Sequence, residues 1–164
     1  MKSIKEALEQ KKGKVKIRGW VYRKRKLQNQ VFIVLRDSTN IIQCTIEKGS
    51  KLYELANTLY SESSVKIEGE IQAEERAPTG YEIKVTNLEV VHQGKPFPIT
   101  KDFSTEFLLD NRHLWLRSRR MVSIMKIRHT ILQAFREHYI NKGYYEFTPP
   151  TLQPTQCEGG STLF

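Results

Sequence analysis

The sequence predicts a five-stranded β-barrel followed by the first part of an α/β domain. Three observations support this fold class. Five segments between residues 14 and 91 alternate apolar and polar side chains, a short helical pattern separates the third segment from the fourth, and a long amphipathic pattern begins at residue 121. Alternation with a period of two is typical of strands with one buried face, whereas apolar residues at steps of three and four are typical of a helix. A chain of 164 residues with 38% apolar content can hold one full domain and part of another.

The predicted strands cover residues 14–23, 30–37, 41–47, 64–74 and 81–91. In the first of them, one parity is apolar and the other is basic and aromatic, so the strand is expected to bury one face and expose a positively charged one. The same alternation in the next two strands places Phe32 and Gln43 on the outer face.

Short helices are predicted over residues 3–11 and 51–59, the second with an apolar side formed by Leu52, Leu55, Ala56 and Leu59. The order of three strands, a helix and two strands is that of the OB-fold, a Greek-key barrel that binds oligonucleotides. An SH3-like barrel is the main alternative, although it usually lacks the helix between its third and fourth strands. We therefore expect a barrel domain over residues 1–94 and a linker or hinge over residues 95–120.

The remaining segment, residues 121–164, is expected to begin a second domain. A helix over residues 121–142 is predicted by an apolar stripe that consists of Ile124, Ile127, Ile131, Phe135 and Tyr139. Ser118 or Ser123 is suited to cap its start, and Gly143 is suited to end it. Residues 144–147 are predicted to form a strand that stops before Pro150. A polar loop follows, and from it we expect this second domain to be truncated.

Charge and short motifs limit the possible functions. The net charge is +9, and residues 11–26 hold nine basic residues and no acidic one. Such a run favours nucleic acid as a partner, although a solvated face would look the same. No apolar run is long enough for a membrane span, and Cys44 and Cys157 form no metal-binding or redox motif. We therefore expect a cytoplasmic protein with reduced cysteines and no metal site.

The strongest candidate site combines cations with an aromatic ring and an amide on the outer face of the barrel. Residues 23–26 are all basic and can neutralise phosphates. Phe32 can stack on an unpaired base, and Gln43 carries both a donor and an acceptor for a base edge. This combination favours recognition of single-stranded RNA, while the plainer alternative is an ordinary sheet surface with one stray aromatic residue.

Several motifs together resemble the class IIb aminoacyl-tRNA synthetases. The segments that carry the resemblance are Gly19-Trp20-Val21, Arg23-Lys24-Arg25, residues 31–37, residues 109–114, residues 142–152 and residues 158–164. Residues 142–152 look like class II motif 1, which belongs to an α/β catalytic domain built on an antiparallel sheet. Residues 148–152 with 158–164 look most like the asparagine branch of archaeal and eukaryotic type. An aspartate enzyme and a stand-alone OB-fold RNA-binding module remain the alternatives.

The resemblance implies roles for individual positions. Arg25, Phe32 and Gln43 correspond to residues that contact the anticodon, where the aromatic ring stacks on the central uridine and the amide reads it. Gly143 and Pro150 correspond to motif 1 at the interface of a homodimer.

A second group of positions corresponds to the amino-acid site. Glu158 matches the carboxylate that meets the α-amino group of asparagine, and Gly159, Gly160 and Ser161 match the loop that folds over the substrate. A carboxylate suits that role because an ammonium group needs a charge-assisted partner.

The implied reaction joins asparagine to tRNA through an adenylate formed from ATP, with Mg²⁺ neutralising the phosphates. The residues expected to hold ATP belong to motifs 2 and 3, which these 164 residues lack. We therefore expect no catalytic residue within this chain and no aminoacylation by it alone. Neither a membrane nor DNA is expected as a partner.

Overall fold

The computed structural model describes residues 1–99 and 104–152. The chain divides into two compact units, Met1–Thr100 and Lys101–Phe164. Within the described residues, none of the helices combines the length and the apolar character that crossing a membrane requires.

The first unit is a closed five-stranded barrel. Its strands are β1 (Gly13–Lys26), β2 (Gln30–Arg36), β3 (Ile41–Glu47), β4 (Ser64–Ala73) and β5 (Tyr81–His92). They join in the order β1-β2-β3-β5-β4, and β4 closes the barrel against β1. All neighbours are antiparallel except β3 and β5, which run parallel over three residue pairs. This topology confirms the predicted OB-fold.

The predicted alternation fills the interior of the barrel. Inward-facing side chains of all five strands are almost fully buried, and the largest of them are Ile17, Ile33, Leu35, Ile42, Ile46, Ile67, Ile71 and Ile83. Cys44 lies among them with 0% exposure, and burial raises the pKa of its thiol. Cys44 is therefore a small apolar core residue, as predicted, and not a nucleophile.

Two glycines allow neighbouring strands to come close. A Cβ atom on Gly19 would lie 2.4 Å from the carbonyl oxygen of Arg36, and one on Gly69 would lie 2.2 Å from that of Lys84. No side chain fits at either distance, so the inner parity of β1 and β4 needs glycine at these points.

Two helices, α1 (Ile4–Gln10) and α2 (Lys51–Thr58), pack on the barrel. A capping box begins α1, in which Ser3 accepts from the Glu6 amide and Glu6 accepts from the Ser3 amide. The predicted apolar side of α2 was partly wrong, because Tyr53 is buried whereas Leu55 is 37% exposed.

The second unit contains α3 (Thr105–Asp110), α4 (Arg112–Trp115) and α5 (Arg119–Asn141). Helices α3 and α4 lie in the stretch where the sequence suggested a linker. The Ser104 hydroxyl caps the start of α3 by accepting a hydrogen bond from the amide of Phe107. Their few residues carry too little periodicity to be found from the pattern.

Helix α5 begins and ends at the capping residues that the sequence predicted. The Ser118 hydroxyl accepts from the amide of Met121 at the start. At the other end, Gly143 has a φ of +82°, and the Gly143 and Tyr144 amides donate to the carbonyls of Ile140 and Tyr139. This is a Schellman motif, and the Tyr139 and Tyr144 rings meet edge to face at 5.7 Å.

The predicted strand over residues 144–147 is absent from the described part of the chain, where these residues form no strand. A strand needs a neighbour for its ladder, and a β-rich composition alone does not supply one.

The predicted apolar stripe of α5 does form, but its side chains are 41–61% exposed.

Candidate nucleic-acid interface

A groove of about 760 Å³ lies on the outer face of the barrel, across the end of β1, β2, β3 and the facing ends of β4 and β5. Its size is within the range of sites that hold small ligands. Arg25, Phe32 and Gln43 all line it. The three predicted contact residues therefore share one surface.

The strand register sets the neighbours of Phe32. Arg25 stands opposite Phe32 on one side, and Thr45 stands opposite it on the other. Phe32 is half-buried and Arg25 is exposed. A ring held in this way by its strands, with a cation next to it, can receive a flat base on its free face.

A bulge in β1 determines which basic residues reach the groove. Val21 pairs with Leu35, but Arg23 pairs with Val34, so Tyr22 is left out of the register. Arg23 therefore shares the outer parity of Val34. The guanidinium of Arg23 lies 5.3 Å from the centre of the Tyr22 ring.

The other two cations of this run turn towards α2. Lys24 pairs with the inward-facing Ile33, and its Nζ donates to the carbonyls of Asn57 and Leu59 at 2.5 and 2.6 Å. Partial burial, followed by the charge of Lys26, lowers the pKa of the Lys24 ammonium. Lys24 also lines the groove, but its Nζ is held by carbonyls at the end of α2; a phosphate contact by residues 23–26 stays a prediction.

Lys26 also points to the helix, because its Nζ lies 5.8 Å from the centre of the Tyr53 ring. Earlier in β1, Lys16 forms an ion pair with Glu68 at 2.6 Å, and this contact raises the pKa of Lys16. The run of nine basic residues is thus divided among several partners. Of these nine residues, Arg23 and Arg25 lie on the outer face of β1 and line the groove.

A buried carboxylate lies behind Gln43. Glu82 is only 6% exposed and accepts hydrogen bonds from Gln43 Nε2 at 3.2 Å, Thr45 Oγ1 at 2.6 Å and Gln72 Nε2 at 3.0 Å. Two neighbouring strands supply these donors, since Glu82 is the register partner of Gln43 on β3 and of Gln72 on β4.

Sequence reasoning missed Glu82. A lone glutamate in a strand looks like any solvated residue. The only available signal was topological: an OB-fold pairs its third and fifth strands, and that pairing brings Glu82 beside Gln43.

The remaining predicted site residues belong to the second unit. Gly143 ends α5, and Pro150 is exposed after the irregular segment that follows. Glu158, Gly159, Gly160 and Ser161 lie outside the described residues.

Comparison with known proteins agrees with this architecture. Residues 15–91 match the family described as an OB-fold nucleic acid binding domain, and residues 104–164 match the class II tRNA synthetases (D, K and N). The chain is therefore similar, over two consecutive stretches, to an OB-fold nucleic acid binding domain and to the class II tRNA synthetases.

Over most of its length the chain is similar to asparagine–tRNA ligases. It is 49% identical to the enzyme of Thermoplasma acidophilum over 93% of this chain and 36% of the relative, and 50% identical to that of Thermococcus gammatolerans over 98% and 37%. The chain thus spans little more than a third of the length of these curated relatives.

Solved structures give the same result. The asparaginyl-tRNA synthetase of Pyrococcus horikoshii, complexed with asparaginyl-adenylate, has a TM-score of 0.81 and 41% identity, and the match covers 95% of this chain and 37% of that one. An aspartyl-tRNA synthetase of Entamoeba histolytica has a TM-score of 0.79 at 24% identity, covering 92% and 39%, and shows the shared fold alone.

Proposed function

We propose that the groove binds the anticodon loop of tRNA for asparagine, as the recognition part of an asparagine–tRNA ligase. The observation that carries the proposal is that Phe32, Arg25 and Gln43 lie on one groove of an OB-fold. A ring for stacking, a cation for phosphate and an amide for a base edge together match an unpaired nucleotide. In this proposal Phe32 stacks on the central anticodon base, Gln43 reads it and Arg25 contacts the anticodon.

The amino acid is proposed to be asparagine and not aspartate. The curated relatives compared above are asparagine–tRNA ligases at about half identity, whereas the aspartyl enzyme matches at 24%. Glu158 is proposed to bind the α-amino group, with Gly159, Gly160 and Ser161 forming the loop over the substrate.

ATP is the proposed source of the adenylate, and Mg²⁺ its proposed companion. Among residues 1–99 and 104–152 there is no group of three or more metal-ligating side chains close together. The ligands of ATP and Mg²⁺ are proposed to belong to motifs 2 and 3, as the resemblance implies. The compartment in which it acts is proposed to be the cytoplasm.

A homodimer is proposed from the second unit. The apolar stripe of α5 is exposed, and Phe135, Tyr139, Tyr144 and Tyr145 line a concave apolar surface at its end. A long helix rarely keeps such a face in water, and a second copy would cover it. In this proposal Gly143 and Pro150 belong to the dimer interface.

The proposed RNA site is tested with Phe32→Ala. Base–aromatic stacking contributes about 1–3 kcal/mol per base, so binding of an anticodon stem-loop hairpin should weaken by that amount. Tyr60→Ala is the matched control, because Tyr60 is an exposed ring of the same barrel outside the groove. Fluorescence anisotropy with a labelled hairpin measures both affinities, and equal losses in the two variants would contradict the proposed site.

A further inference from the structure

The hydrogen bonds behind Gln43 restrict the orientation of its amide. An ionised carboxylate has acceptors only, so the Gln43 group that faces Glu82 Oε2 at 3.2 Å must be the NH₂. Rotating the amide by half a turn would place the Gln43 carbonyl oxygen against a carboxylate oxygen. Two acceptors at that distance repel each other, and the repulsion is strong because Glu82 is only 6% exposed.

The fixed orientation of the Gln43 amide determines where its donor and its acceptor lie in the groove. One N–H of Gln43 is used on Glu82, which leaves the second N–H and the carbonyl oxygen for a ligand. An edge that carries an N–H donor next to a carbonyl acceptor complements this pair. When the ring is held in the same position on Phe32, uracil presents an N3–H donor beside the O4 acceptor, whereas cytosine presents an N3 acceptor beside the N4 amino donor, so the two bases need opposite amide orientations. A freely rotating amide would accept either base.

The carboxylate can restrain Gln43 only if it is itself held in place. Thr45 Oγ1 donates to Oε2 of Glu82, the same oxygen that Gln43 meets, and Gln72 Nε2 donates to the other oxygen. Thr45 is 8% exposed, so its hydroxyl does not trade this bond for water. These two donors fix both oxygens of the carboxylate.

We propose that Thr45 and Gln72 are positioning residues that hold Glu82, so that Gln43 keeps one amide orientation and the groove selects uracil over cytosine. The inference rests on the proposed anticodon site and assigns the origin of its selectivity to the residues behind Gln43. A correctly paired bidentate contact discriminates against the wrong base by about 5- to 150-fold. The restraint on the Gln43 amide is required for this discrimination between bases, but it is not required for stacking of a base on Phe32.

The test uses the whole 164-residue chain and two anticodon stem-loop hairpins that differ only at the central base, uracil or cytosine. Thr45→Val removes the hydroxyl with little change of shape, and Thr45→Ser keeps it. Thr45→Val combined with Gln72→Leu removes both donors. Thr86→Val is the matched control, since the Thr86 hydroxyl donates to the Glu68 carbonyl on β4, away from the groove.

The expected result is a change in the ratio of the two affinities. In Thr45→Val the uracil preference should fall and binding of the cytosine hairpin should strengthen, in the double variant the preference should approach equality, and Thr45→Ser should restore it. A merely structural role would weaken both hairpins equally and leave the ratio unchanged, and that outcome would overturn the inference.

A separate outcome concerns the site itself. If the wild-type chain binds neither hairpin, or binds both without preference while Phe32→Ala has no effect, the proposed anticodon site is wrong and the inference is lost with it. If the wild type prefers uracil and both Thr45→Val and the double variant keep the full preference, only the positioning role of Thr45 and Gln72 is refuted.

Discussion

The bulge at Tyr22 predicts different roles for two adjacent cations. Arg25 shares the outer parity of Phe32, whereas the Lys24 Nζ donates to the carbonyls of Asn57 and Leu59. We compare Arg25→Met with Lys24→Met, since both changes remove one charge and keep a long aliphatic side chain. Loss of one phosphate contact to single-stranded RNA should reduce the slope of log affinity against log salt by about 0.7 in Arg25→Met only.

Lys24→Met should instead destabilise the barrel. Hydrogen bonds from a charged donor contribute about 1.5–3 kcal/mol when buried, and the partial exposure of Lys24 reduces this to about 1 kcal/mol. Anticodon-hairpin binding at several salt concentrations gives the slope, and urea unfolding gives the stability. The reasoning is refuted if Lys24→Met lowers the salt slope as much as Arg25→Met does, or if Arg25→Met affects stability and leaves the slope unchanged.

Two further predictions concern the scaffold. Gly69→Ala places a Cβ 2.2 Å from the Lys84 carbonyl oxygen and should lower the free energy of unfolding by about 1–3 kcal/mol or more. Gly49→Ala, which meets no atom within 4 Å but has a φ of +92°, should cost only about 1 kcal/mol, and denaturation curves that rank the two the other way would contradict the close approach. For Asp37, burial raises the carboxyl pKa, but hydrogen bonds from Ile4, Thr39 and Asn40 outweigh it, so the net shift is downward from 3.8. A lowered pKa gives stability that is present above the ordinary value and is lost as the pH falls through the folded-state value. Asp37→Asn should therefore be less stable than wild type at about pH 7, and the difference should shrink in acid; a difference that grows below about pH 4 would show that the sign is wrong.

Alternation in the sequence was enough to predict the barrel, because each strand buries one face. The pattern placed Phe32 and Gln43 outside and Cys44 inside, and the helix between β3 and β4 then identified the OB-fold. Gly143 was found from chemistry alone, since a residue with positive φ after a long helix is usually glycine.

The features that escaped prediction depend on contacts between distant segments. The bulge at Tyr22 leaves no mark in the hydrophobic pattern, because Tyr22 fits the outer parity before it and Arg23 fits the outer parity after it. Burial of Glu82 depends on donors from two other strands. The segment 144–147 has the composition of a strand, but pairing depends on a neighbour that local sequence does not specify.

The net charge of +9 suggests a site that works by attraction, but the placement of the charges gives a different view of selectivity. Lys16 forms an ion pair with Glu68, and the Lys24 ammonium donates to a carbonyl at the end of α2. The residue that restrains the amide of Gln43 is the negatively charged Glu82. Positive charge draws any nucleic acid to the surface without regard to sequence. A buried carboxylate cannot attract RNA, yet by repelling the carbonyl oxygen of Gln43 it sets which base edge is accepted. Affinity and selectivity in this groove are therefore assigned to residues of opposite charge, and they should respond separately to salt and to substitution behind Gln43.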